Sequence, residues 1–151
     1  DGGLVEVCPA GPAIMAEIEA RIFAHGGGAR IIDYGDWRSL GDTLQALKAH
    51  AIAPPLAAPG AADLTAHVDF EALARAAPRL APSRLTPQGV FLERLGITLR
   101  AQTIAQGLTG AARAAHVAAH RRLTHPDEMG NLFKVLGFTR AQGPMLPGLD
   151  T

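Results

Sequence analysis

A short β-branched run, Ala29-Arg30-Ile31-Ile32, sits between the glycine turn Gly26-Gly27-Gly28 and the polar stretch Asp33-Tyr34-Gly35-Asp36-Trp37. An apolar run of this kind, after a helix and a glycine connector, reads as a buried strand of an αβ unit. Such a strand needs neighbours on both edges and helices on both faces. Only one other segment, Asn131–Phe138, reads as a comparably convincing strand. The expectation is an α/β chain whose partner strands lie outside this sequence or in a second copy of it, so a homo-oligomer stays open.

Elsewhere glycine and proline cut the chain into short elements. Leu4–Val7 alternates and reads as a short strand. Pro12 opens a helix to about Ala24, with Ile14, Met15, Ile18 and Ile22 as its apolar stripe, closed by His25 and the glycines. Asp42 and Gln45 have the spacing of a capping box, which predicts a helix to about His50; residues 52–60 read as loop. Leu64–Phe70 alternates strictly, and two readings stay open. One is a short strand; the other is an extended entry into a helix from Phe70 to Ala77 capped by Asp69. Arg84–Thr86 reads as a short strand. Helices follow from Pro87 to Leu95, near Thr98–Gln106 and near Ala111–Leu123. Residues 1–142 form the expected domain, and 143–151, rich in glycine and proline, a flexible tail.

Composition excludes several classes. At 151 residues one domain is expected. Lys+Arg 14 balances Asp+Glu 14, so no basic footprint for nucleic acid exists. No apolar run is long enough for a membrane span. The single cysteine, Cys8, leaves no intrachain disulfide or Cys-rich zinc site and points to a reducing compartment. The N-terminus carries no signal-peptide pattern and no Met, which fits a fragment or a processed chain.

Chemistry concentrates after the first strand. The one Tyr and one Trp of the chain share a pentapeptide with Asp33 and Asp36. Ligands of α/β sheets bind at the carboxyl ends of strands. Carboxylates bind a guanidinium and aromatic faces attract cations, so these residues read as a cation pocket. They also read as a strand-ending turn, with both aspartates bonded to backbone amides, Gly35 supplying positive φ and Trp37 covering the core edge. Thr65, His67 and Asp69 share a face if extended; there His67 and Asp69 either exchange a proton or are a satisfied polar residue and a helix cap. His116 and His120 have helical metal-ligand spacing, but no acidic partner lies between them and Arg121-Arg122 would repel a cation, so no metal is expected and a solvated helix face is the default. Gly26–Gly28 precedes its strand, whereas a phosphate-binding loop follows one.

Several motifs occur in one order: Ile31-Ile32-Asp33-Tyr34-Gly35, Gly41-Asp42-Thr43-Leu44-Gln45, Pro59-Gly60, Asp63-Leu64-Thr65-Ala66-His67-Val68-Asp69-Phe70, Gln88-Gly89-Val90-Phe91-Leu92, and Leu132-Phe133-Lys134-Val135. This series resembles the C-terminal half of the MidA-like S-adenosylmethionine-dependent methyltransferases. The resemblance implies a class I Rossmann-like sheet with additional helices. Ala29–Ile32 would be the fifth strand, Asn131–Phe138 an antiparallel last strand beside it, and the segment around Arg84 the sixth. It also implies S-adenosylmethionine as cofactor and a protein arginine as acceptor, in mitochondrial members one of a respiratory complex I subunit. The family's glycine-rich cofactor loop belongs to its N-terminal half, so this chain alone does not complete the pocket. On this reading Asp33 and Asp36 contact the guanidinium, Tyr34, Gly35 and Trp37 line it, and Gln45 joins the substrate-binding set; His67 and Asp69 are the second choice. The alternative is a non-catalytic binding or assembly module. Bacterial cytoplasm or mitochondrial matrix is the expected compartment.

Overall fold

A computed structural model describes residues 3–150. The elements run α1 (Gly11–His25), β1 (Gly28–Asp36), β2 (Gln45–Lys48), β3 (Ala51–Ala53), β4 (Asp63–Thr65), β5 (Val68–Asp69), α2 (Phe70–Arg75), β6 (Leu80–Pro82), β7 (Thr86–Pro87), α3 (Gln88–Arg94), α4 (Ile97–Gln106), α5 (Gly110–Thr124), α6 (Met129–Leu132) and β8 (Phe133–Arg140). The fold is α/β, as the sequence implied.

The main sheet has the order β5-β1-β8-β6, with β7 also on β8. β8 runs antiparallel to both neighbours, from Gly28↔Thr139 to Tyr34↔Phe133 on one side and from Leu80↔Arg140 to Pro87↔Lys134 on the other. The outer edge of β1 pairs only at Gly35 and Asp36, in parallel with Val68 and Asp69. Residues 28–34 have no partner on that edge among the described residues. The strand expected around Arg84 is split into β6 and β7, because Ser83 leaves the ladder: its N–H bonds the Gly137 carbonyl while its hydroxyl accepts from the Gly137 N–H.

Side chains alternate across β1 and β8, and each face has its own core. On one face Leu136 and Phe138 pack with Ala29 and Ile31 beneath Met15 and Ile22 of α1 and Phe70 of α2. On the other, Val135 meets Phe91 of α3 and Leu149. From the stretch read as a tail, Leu146 and Leu149 pack in this second core, and the Asp150 carbonyl accepts the Arg84 N–H.

Three local expectations are corrected. Leu4–Val7 joins no strand. The capping-box helix at 42–50 is instead the strand β2, because Gln45–Lys48 pairs with both β3 and β4 in a separate three-stranded sheet; long-range pairing overrides the local cap. The buried stripe of α1 is Gly11, Met15, Glu19 and Ile22, and Ile14 is exposed. The stripe rotates because Glu19 accepts both the backbone N–H (2.6 Å) and the side-chain Nε–H (2.9 Å) of Arg79.

The Arg79 backbone N–H, then its guanidinium, hold the Glu19 carboxyl below the usual glutamate value. A depressed folded value stabilises the fold above the unfolded value, and that stability disappears as pH falls through the folded one. The melting temperature is therefore expected to drop on acidification below the ordinary value of 4.5, and Glu19→Gln to flatten that acid limb. An unchanged acid limb in Glu19→Gln, read by circular dichroism, would contradict the assignment.

Candidate functional site at the carboxyl end of β1

β1 delivers Asp33, Tyr34, Gly35 and Asp36 to one end of the sheet, but the pleat separates them. Asp33 faces the side of Ile31 and lies opposite Lys134 of β8; its Oδ1 accepts the Tyr34 N–H at 2.8 Å. Tyr34 turns to the opposite face. Its ring meets Phe133 edge-on at 5.3 Å and His67 at 6.0 Å.

At the end of the strand Asp36 stands beside Asp69 in the parallel register. Each aspartate uses Oδ1 locally: Asp36 accepts the Trp37 N–H at 2.7 Å and Asp69 the Ala72 N–H at 2.8 Å. The second bond makes Asp69 the N-cap of α2, so the capped extended entry holds for residues 68–70, while Leu64 and Thr65 belong to the separate strand β4. Neither carboxylate joins an ion pair among the described residues. Asp69 also lies near enough to Arg38 for its charge to favour the guanidinium. The approach depends on Gly35, where a Cβ would lie 2.2 Å from the Val68 carbonyl oxygen.

Two groups that the sequence reading missed frame this end. Arg38 donates two bonds to Glu71, 2.7 and 3.0 Å long, and Arg75 adds a third of 3.1 Å. The Arg38 bonds, then its charge, hold Glu71 below the usual glutamate value. The Glu71 N–H bonds the Trp37 carbonyl at 2.8 Å, which fixes half-exposed Trp37 beside Asp36. Glu6 takes the backbone N–H of Thr43 at 2.9 Å and its hydroxyl proton, and the His67 N–H bonds that hydroxyl oxygen at 2.9 Å. The Thr43 hydroxyl, then its backbone N–H, depress the Glu6 carboxyl. Ser39 Oγ, in the loop after Asp36, is buried without a protein partner among the described residues. No local sequence signal announced Glu6, because its partner lies 37 positions away. Gln45 is exposed in β2, across from Thr65.

Other sequence candidates lie elsewhere. His116 and His120 turn toward α4 rather than to solvent: their Nε2 atoms lie 3.0 Å from the Ala101 carbonyl and from Thr98 Oγ1. Among the described residues no cluster of His, Cys, Asp and Glu is arranged to hold a metal ion, and no helix is long and apolar enough to cross a membrane.

Comparison with known proteins adds the lineage. A family described as S-adenosyl-L-methionine-dependent methyltransferases matches residues 1–86. The chain belongs to this methyltransferase family. The mitochondrial protein arginine methyltransferase NDUFAF7 of Xenopus laevis is 36% identical over 139 residues, covering 86% of this chain and 30% of that protein. The human protein of the same name is 35% identical over 144 residues, covering 92% and 33%. A Burkholderia thailandensis structure described as a COG1565 superfamily member and likely methyl transferase, bound to S-adenosyl-homocysteine, superposes with a TM-score of 0.70 at 30% identity, covering 90% of this chain and 38% of that one. The chain thus spans about a third of the curated relatives it matches.

The residues present do not by themselves fit the family's cofactor. The run Gly26–Gly28 enters β1 at the end opposite Asp36, and the described residues include no glycine-rich turn that leaves a strand for a helix. At this strand end the described residues bring together Asp36 and Asp69, the neighbouring Tyr34, Trp37 and His67, and the Arg38–Glu71 pair.

Proposed function

We propose that this segment forms the acceptor side of an S-adenosylmethionine-dependent protein arginine methyltransferase. The adjacent Asp36 and Asp69 carboxylates carry the reading. Two carboxylates in register can take a guanidinium through their free oxygens, fix its orientation and accept the proton it sheds. Trp37 stands as a wall beside Asp36. Tyr34 and His67, in edge contact, border the same strand end, with Gly35 admitting the close approach of β5. Asp33, on the other face, orients the backbone through Tyr34, and Gln45 belongs to the rim sheet. The relatives named as protein arginine methyltransferases support this chemistry. A respiratory complex I subunit as acceptor, and the mitochondrial matrix or a bacterial cytoplasm as compartment, belong to the same proposal.

The experiment joins this chain to the segments that complete its relatives' length and measures methyl transfer to an arginine peptide. Asp36→Asn removes one charge-assisted contact and is expected to lower kcat/KM about tenfold or more. Asp69→Asn keeps a good helix cap, so a similar loss there reports the charge. Unchanged rates in both variants would remove these residues from the site.

A further inference from the structure

Between Glu93 and Asp127 the chain has no acidic residue. Within that span α4 and α5 form an antiparallel hairpin carrying Arg100, Arg113, Arg121 and Arg122. The whole chain is neutral, so the remainder holds fourteen acidic against ten basic groups. Positive charge is thus segregated onto one projecting arm. Arg121 is answered by Glu128 at 2.8 Å; Arg100, Arg113 and Arg122 join no ion pair among the described residues. Neither helix buries a single residue. The arm is stitched instead by the His116–Ala101 and His120–Thr98 contacts.

Between the two helices lies a groove of about 740 Å³. Exposed Arg113 lines it with Gln102, Gln106 and Thr109, and Ala105 and Val117 add apolar lining. Position decides what such a groove serves. The arm leaves the sheet after β7, whose Thr86 pairs with Val135, and returns through α6 to Phe133, the partner of Tyr34. Its root therefore lies at the same end of the sheet as Asp36 and Asp69.

We infer that the α4–α5 groove docks an acidic, partly apolar segment of the acceptor protein, with a carboxylate of that segment on Arg113. The inference takes the acceptor from the proposed function above. Side-chain amides, a hydroxyl and small apolar residues around one exposed arginine suit an extended peptide. Arg100 and Arg122 lie on the outer sides of the hairpin by helical spacing and contribute a steering field rather than contacts. A nucleic acid or anionic membrane would instead read the charges nearly equally, and would meet the excess acid of the remaining chain.

The test is fluorescence anisotropy of the 151-residue chain with a labelled peptide of alternating glutamate and leucine that contains no arginine. Binding that weakens with salt, falls about tenfold in Arg113→Glu and changes little in Arg122→Glu is expected. Lys48→Glu, on β2, should leave it unchanged. Arg113→Gln repeats the measurement without charge reversal. Amide-shift mapping on the unmodified chain should place the peptide at Ala105 and Val117. No binding, shifts elsewhere, or equal losses in Arg113→Glu and Arg122→Glu overturn the inference. So does tighter binding of polyuridine RNA or phosphatidylserine vesicles than of the peptide. Because the probe lacks arginine, it reports docking even where methyl transfer to arginine fails, so the two readings fall separately.

Discussion

Gly35→Ala is expected to break the junction of β1 with β5 and to cost about 2–3 kcal/mol. The added methyl would sit 2.2 Å from the Val68 carbonyl oxygen and 2.7 Å from its nitrogen. Both are backbone atoms, so no rotamer change relieves the overlap. The glycine φ of 154° adds strain for any residue with a Cβ. One strand must therefore retreat from the other, and Asp36 loses its register with Asp69. Calorimetry should show a melting temperature lowered by roughly 5–10 °C for a chain of this size. In the completed methyltransferase the acceptor KM should rise as well. A variant that melts with the parent would show that the two strands do not approach as described.

Phe70→Ala is expected to cost more, about 3–5 kcal/mol, as a large buried aromatic truncated in a packed core. Phe70 is fully buried among Met15, Leu136 and Phe138. It is also the first residue of α2, directly after Asp69. Losing it opens a cavity under the sheet and frees the segment that carries the carboxylate. Total stabilities of folded domains are of the order of 5–15 kcal/mol, so the variant should sit near the edge of unfolding at room temperature. The chain has one tryptophan, and its carbonyl is tied to the Glu71 N–H. Trp37 emission therefore reports this corner: a red shift in Phe70→Ala before denaturant is added, and a lower denaturation midpoint, are the expected readings. Phe70→Leu, which keeps most of the volume, should restore most of the stability. An unshifted midpoint in Phe70→Ala would mean that the corner is not held by this side chain.

The parts of the fold that were legible share a cause. β1 and β8 were visible as apolar runs bounded by turn residues, and α4 and α5 as stretches without glycine or proline, the first between Gly96 and Gly107 and the second between Gly110 and Pro126. These signals are local. The failures are equally uniform. Asp42 and Gln45 spell a helix start, but β2 follows because Ala46 pairs with Ala53 on one side and Leu64 on the other. Ile14 looked like a core residue, but Glu19 claims the buried face through Arg79, 60 positions away. At the site the sequence grouped Asp33 with Asp36 because they are neighbours in the chain. The pleat of β1 turns Asp33 and Tyr34 to opposite faces, and the strand register sets Asp69 beside Asp36.

By itself the sequence determined an α/β chain, the strand that leads to Asp36, and the ordered motifs that tie it to a methyltransferase lineage. These follow from short-range periodicity, turn chemistry and the identity of successive residues. Only the tertiary structure decided that Asp36 and Asp69 stand side by side, that Glu6 reaches Thr43, and that a basic hairpin rises from the same end of the sheet. Each of those facts is a contact between residues far apart in the chain. Such contacts are fixed by strand register and by which face of a strand or helix finds a partner, quantities that no single stretch of sequence contains.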